Sequence, residues 1–218
     1  MKKRFSNRFS KPKAKRRAGI ETWHNGADAE IHLYAASLQE AAKSLVATWN
    51  PARSQKAAWD VCPIILLYRQ TLELRLKALV GEGSSFLKSE TDPISLYRTH
   101  SLRWLAQIAC QVIKAVRWER DFTCEGVSNL AEFSSLINDI EALDPVSCAV
   151  HFAGGREHGS APQSFANVNA AEFATKLDAL LELLDVTADA LAAEWDQRTD
   201  DGFNGGLKGG NDFGPTIH

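Results

Sequence analysis

The sequence predicts an all-α fold, a bundle of about five amphipathic helices. Three observations carry this. Apolar residues recur every three or four positions in five separate stretches. No stretch of useful length alternates with the period of two that a half-buried strand needs. The stretches are divided by short connections holding Asn50-Pro51, Gly81 and Gly83, Asp92-Pro93 and Asp144-Pro145.

The first helix is expected over Asp28 to Trp49, with Ile31, Tyr34, Leu38, Ala41, Leu45 and Trp49 on one face. The second spans Trp59 to Val80, with Pro63 in its first turn and Gly81 and Gly83 ending it. Ile64, Ile65, Leu67, Tyr68, Leu72, Leu76 and Leu79 cover more than half its circumference, which predicts a central helix. The third runs from His100 to Trp118 behind Thr99 as N-cap, with Leu102, Leu105, Ala109, Val112 and Val116 inward. A fourth covers Val127 to Leu143, with Ser128 as a cap and Leu130, Phe133, Ile137 and Ile140 on one side. The last, Ala170 to Arg198, has the clearest period: Phe173, Leu177, Leu180, Leu181, Leu184, Ala188, Leu191 and Trp195.

Three units follow. Residues 1–26 form a basic, flexible arm, 27–198 a single helical domain, and 199–218 a flexible tail rich in glycine. The formal charge of −2 conceals an asymmetry. Residues 1–17, MKKRFSNRFSKPKAKRR, hold nine of the 25 Lys and Arg and no acid, leaving 16 basic against 27 acidic residues elsewhere. A basic arm on an acidic globule suits nucleic acid or another acidic partner, with Lys13, Lys15, Arg16 and Arg17 as phosphate contacts. No run approaches the roughly 18 apolar residues of a membrane span, so the expectation is a cytoplasmic protein without a membrane partner. Cys62, Cys110, Cys124 and Cys148 lack C-x-x-C spacing and a histidine at ligand distance, so neither a metal nor a cofactor is expected.

Chemistry concentrates in three places. In LLYRQTLELRLKAL, Arg69, Glu73 and Lys77 stand four apart and so share a helix face. A carboxylate between two cations there either fixes the helix in a buried bridge or orders a phosphate pocket. His100, at the mouth of the third helix, either locks the loop or acts as a base facing the second helix. HFAGGREHGS places His151, Arg156 and His158 around two glycines, a composition suited to phosphate contact and proton transfer as well as to a solvated loop. P-loop, G-x-G-x-x-G, H-E-x-x-H and G-x-S-x-G motifs are all missing.

The order HLYAASLQEAAKSL, PIILLYRQTLELRLKAL, THSLRWL and DPVSCAVHF, followed by a long amphipathic helix, resembles the HEPN-like helical proteins of bacteria. The resemblance covers residues 28–195. Pro63, Ile64, Leu67, Tyr68, Arg69, Leu72, Glu73, Leu74, Leu76 and Lys77 match that branch's second-helix pattern. His100, Leu102 and Leu105 match the opening of the third helix, and Asp144, Pro145 and Ser147 the segment after the fourth. Gln70 stands where the branch has His, and Val150, His151, Phe152 and Ala153 where it has F-R-Y-P. The R-x(4–6)-H motif of many HEPN ribonucleases has a formal match only in Arg17 and His24, outside any expected helix.

The resemblance implies contact with RNA or nucleotides, a homodimer, and a role in stress response or phage defence. It also implies a metal-independent ribonuclease with His100, His151, Arg156 and His158 as candidate catalytic residues and Arg69, Glu73 and Lys77 at the phosphate. The other reading of the same residues is a non-catalytic helical interaction module whose basic arm binds nucleic acid or an acidic partner.

Overall fold

The computed structural model describes residues 24–50, 57–87, 96, 98–143 and 168–206, with backbone alone at 24–29, 57–60 and 199–206. Its five helices are α1 (His24–Thr48), α2 (Ala57–Gly83), α3 (Leu102–Ala115), α4 (Leu130–Leu143) and α5 (Ala170–Gly206), with a 3₁₀ turn at Ser84–Phe86 after α2. No strand occurs among the described residues; Cys124 and Val127 form one isolated bridge around Gly126, whose φ of 82° suits glycine.

Helix α2 is the centre of the bundle. Helices α1, α5 and α3 pack against it, and α4 packs on α3. Ile64, Ile65, Tyr68, Leu72, Leu76, Leu79 and Val80 are buried, as the apolar coverage of this helix requires. Around them lie Leu102, Leu105, Ala109, Val112 and Ile113 of α3 and Leu177, Leu180, Leu181, Leu184 and Leu191 of α5. Phe133, Ile137 and Ile140 of α4 close the far side, where Phe133 meets Phe122 edge to face at 5.2 Å.

Several boundaries differ from expectation. The third helix starts two residues later, because Ser101 is its N-cap and accepts from the Trp104 N–H at 3.2 Å. Thr99 instead accepts from the Ser101 N–H. The same helix ends three residues sooner. Arg117 turns into the left-handed region at φ 61°, and the Trp118 N–H bonds back to the Ile113 carbonyl at 3.0 Å. Asn129, not Ser128, caps α4, accepting from the N–H groups of Ala131 and Glu132 at 2.9 Å. Asn169 caps α5 in the same way. Pro63 lies inside α2 rather than at its first turn, with its ring exposed. Helix α1 begins at His24, inside the segment assigned to the arm, and α5 continues to Gly206, past the expected end at Arg198. The apolar stripe marks where a helix packs, whereas its backbone bonds continue until a cap or glycines stop them.

The largest difference is the rotation of α1. Ala35 and Ala42 are buried, while Leu33, Tyr34 and Leu45 are 70%, 61% and 39% exposed. Tyr34, Ala41 and Leu45, expected inward, face outward. Trp195 of α5, also expected inward, is largely exposed and stands edge-on to Phe86 at 5.7 Å.

Candidate functional site

The stripe Arg69–Glu73–Lys77 lies inside the bundle. Relative exposures of 1%, 3% and 6% leave all three side chains out of solvent. Burying ions is costly unless each finds a counter-charge and hydrogen bonds, and here the partners are adjacent turns of one helix. Lys77 Nζ donates to Glu73 Oε1 at 2.8 Å, and Arg69 Nη1 to Glu73 Oε2 at 3.3 Å. Arg69 Nη2 donates to the backbone carbonyl of His100 at 2.9 Å. The guanidinium thus holds the chain where it enters α3.

The same carboxylate reaches outward. His100 Nδ1 lies 3.0 Å from Glu73 Oε1, while 70% of the imidazole side chain is exposed. Because a carboxylate oxygen accepts, the ring donates through Nδ1, and in the neutral imidazole Nε2 keeps its lone pair toward solvent. A buried carboxylate behind an oriented, accessible imidazole is the arrangement that sets a histidine's tautomer for proton transfer. Arg98 and Arg103, close by in the chain, are both exposed. The α3 N-terminus beside them is occupied by Glu141. Its carboxylate accepts from Ser101 Oγ and the Arg103 N–H, each at 3.0 Å, satisfying the positive helix end.

Of the expected site residues, Arg69, Glu73, Lys77 and His100 come together. Arg69 and Lys77 are packed behind Glu73, and only His100 presents its side chain to solvent. His151, Arg156 and His158 lie outside the described residues, as do Lys13, Lys15, Arg16 and Arg17. Among the described residues no group of three or more His, Cys, Asp or Glu is placed to hold a metal ion. No helix among them is long and apolar enough to cross a membrane.

A second polar centre escaped the sequence reading. Arg75 of α2, 7% exposed, donates through Nη1 to Asp185 Oδ1 of α5, and the same nitrogen lies 2.9 Å from His32 Nδ1 of α1. Its Nε is buried without a hydrogen-bond partner. Nearby, Asp178 of α5 accepts from Tyr68 at 3.2 Å and from Gln39 of α1 at 2.7 Å. Burial, and then the Asp178 carboxylate, push the Tyr68 phenol well above its usual range. These contacts join residues 43 to 139 positions apart, so no local spacing announces them. The available signal was an arginine, Arg75, on a helix with almost no exposed face.

Burial also raises the thiols of Cys110 and Cys124, which marks them as unreactive packing residues. The chain matches no family model, no curated protein and no solved structure.

Proposed function

We propose that this chain is a HEPN-like helical protein that contacts RNA or nucleotides, with His100 as the reactive group on the described surface and the basic arm as its phosphate anchor. The observation that carries this reading is the His100 imidazole, exposed to solvent yet fixed through Nδ1 by the buried Glu73. An unoriented surface histidine has no such carboxylate behind it.

In a metal-independent ribonuclease the free Nε2 takes the 2′-hydroxyl proton. The 2′-oxygen then attacks phosphorus, and the 5′-oxygen leaves with a proton from a second acid, forming a 2′,3′-cyclic phosphate. Charge on the phosphorane falls to exposed cations, for which Arg98 and Arg103 are nearest in sequence. Arg156, His151 and His158 remain candidates for the second acid and the further cation. Arg69 and Lys77 act from within this scheme, holding Glu73 and the entry to α3 in place. The resemblance also implies a homodimer.

The test is cleavage of single-stranded RNA by the purified protein in chelator, with a deoxy-substituted strand as control. Activity that needs the 2′-hydroxyl and falls in His100→Ala supports the scheme; activity retained in that variant removes His100 from it.

A second reading is favoured by the sealing of Arg69 and Lys77, whose charges are spent on Glu73. The bundle is then a non-catalytic interaction module, and the arm alone binds nucleic acid. Salt-dependent RNA binding without turnover, lost when the nine basic residues of 1–17 are replaced by Ser or Gln, distinguishes it.

A further inference from the structure

We infer that the outward face of α1 is a homotypic interface, on which α1 of a second copy of this chain packs antiparallel. Of the four large hydrophobic side chains that stand exposed among the described residues, three are on this one helix: Leu33, Tyr34 and Leu45. Tyr34, Leu38, Ala41 and Leu45 form a continuous stripe along it, of which only Leu38 is half-buried. Exposed apolar surface gathered on one element marks a contact rather than scatter.

The face is less polar than its sequence suggests. Ser37, Ser44 and Thr48 turn their hydroxyls inward to the carbonyls of Leu33, Glu40 and Ser44, at 2.9, 2.9 and 3.1 Å. Lys43 and Glu40 neutralise each other at 3.2 Å. By contrast, the exposed sides of the other helices carry Arg103 and Lys114 on α3, Glu132 and Asp139 on α4, and Glu172, Lys176, Glu182 and Asp189 on α5. Interface cores are depleted in charge, and α1 is where this chain is so depleted.

The spacing of the stripe selects the occupant. The intervals Tyr34–Leu38–Ala41–Leu45 are four, three and four residues, the same in either direction. A reversed copy related by a twofold axis between residues 39 and 40 therefore sets Tyr34 against Leu45, and Leu38 against Ala41, twice over. Large meets small at the centre, and each apolar side chain meets another, as a twofold interface demands. Ser37, Ala41 and Ser44 keep that centre low enough for close approach of the two helices. The rest of the chain outside residues 1–17 is acidic, so two copies repel except at a face without net charge. The basic arm, by the same reasoning, is drawn to the acidic helices and not to this face. A helix of 25 residues is about 37 Å long, which gives a modest contact and an association that depends on concentration.

The inference is independent of the RNA reading, and the test separates them because it measures mass, not activity. Sedimentation of the full chain over a concentration series is expected to show a monomer–dimer equilibrium. Leu45→Glu and Tyr34→Lys are each expected to sediment as monomers with unchanged helical circular dichroism, since both sites are exposed. Mixed in equal amounts, the two variants are expected to recover a dimer, because position 34 of one then faces position 45 of the other as an ion pair. A wild type that stays monomeric to its solubility limit, a dimer that survives both substitutions, or a mixture that stays monomeric would each overturn the proposal.

Discussion

His100 Nδ1 stands 3.0 Å from Glu73 Oε1, joining one of the most exposed polar side chains of the bundle to one of its most buried. The same carboxylate oxygen takes Lys77, and its twin takes Arg69, which in turn holds the carbonyl of His100. Glu73 is therefore both the counter-charge of the central helix and the anchor of the α2–α3 connection.

Removing that counter-charge leaves two buried cations without compensation. Breaking a buried ion pair from one side costs about 3–5 kcal/mol, so Glu73→Ala is expected to lose that much unfolding free energy in urea titration. Glu73→Gln keeps the shape and one acceptor oxygen, and is expected to lose less. A loss below about 1 kcal/mol in Glu73→Ala, the size typical of an exposed pair, would contradict the burial of this network.

The Tyr68 phenol offers a pH-dependent readout. Its folded-state pKa is raised, so the native state holds the proton more tightly than the unfolded chain. Its contribution is fully present below the unfolded value of about 10 and is lost as pH climbs above it. Stability measured against pH is expected to fall on the alkaline side of about 10, with a shallower slope in Tyr68→Phe. At neutral pH the same variant is expected to lose roughly 1 kcal/mol, the hydrogen bond to Asp178.

Two glycines two residues apart in α2 are expected to answer the same substitution with opposite signs. A Cβ at Gly81 meets nothing within 4 Å, so Gly81→Ala removes backbone freedom from the unfolded chain and is expected to gain about 0.5–1 kcal/mol. A Cβ at Gly83 would run into the methyl groups of Val112 in α3. Gly83→Ala is expected to lose about 1–3 kcal/mol as α2 and α3 are forced apart. Thermal unfolding of the two variants side by side checks both.

The all-α bundle was legible in the sequence because four of its stripes bury the side that their period marks. The central place of α2 was legible for the same reason. Its charges sit among Ile64, Tyr68, Leu72 and Leu76, leaving them no exposed face. Helix α1 was misread because two neighbouring stripes share the period of three to four. One, Tyr34–Leu38–Ala41–Leu45, is more hydrophobic; the other, through Ala35 and Ala42, is small enough to let α1 lie close on α2 and is the one buried. The Arg75–His32–Asp185 centre was not legible, since three helices far apart in sequence must already be assembled to create it. At the site, the four-residue spacing made the pairing of Arg69, Glu73 and Lys77 readable, whereas the reach from Glu73 to His100 depends on how the chain turns between α2 and α3.

The central claim is that an oriented imidazole at His100 serves RNA. The most direct measurement is the cleavage rate of single-stranded RNA in chelator by wild type, His100→Ala and Glu73→Gln, each first shown to be folded. The account predicts cleavage by the wild type that falls about 100-fold or more in His100→Ala, the usual contribution of a general base, with a smaller loss in Glu73→Gln as the ring loses its orientation. Cleavage at the same rate in wild type and His100→Ala would contradict it, as would a wild type that binds RNA through its arm and never cuts it.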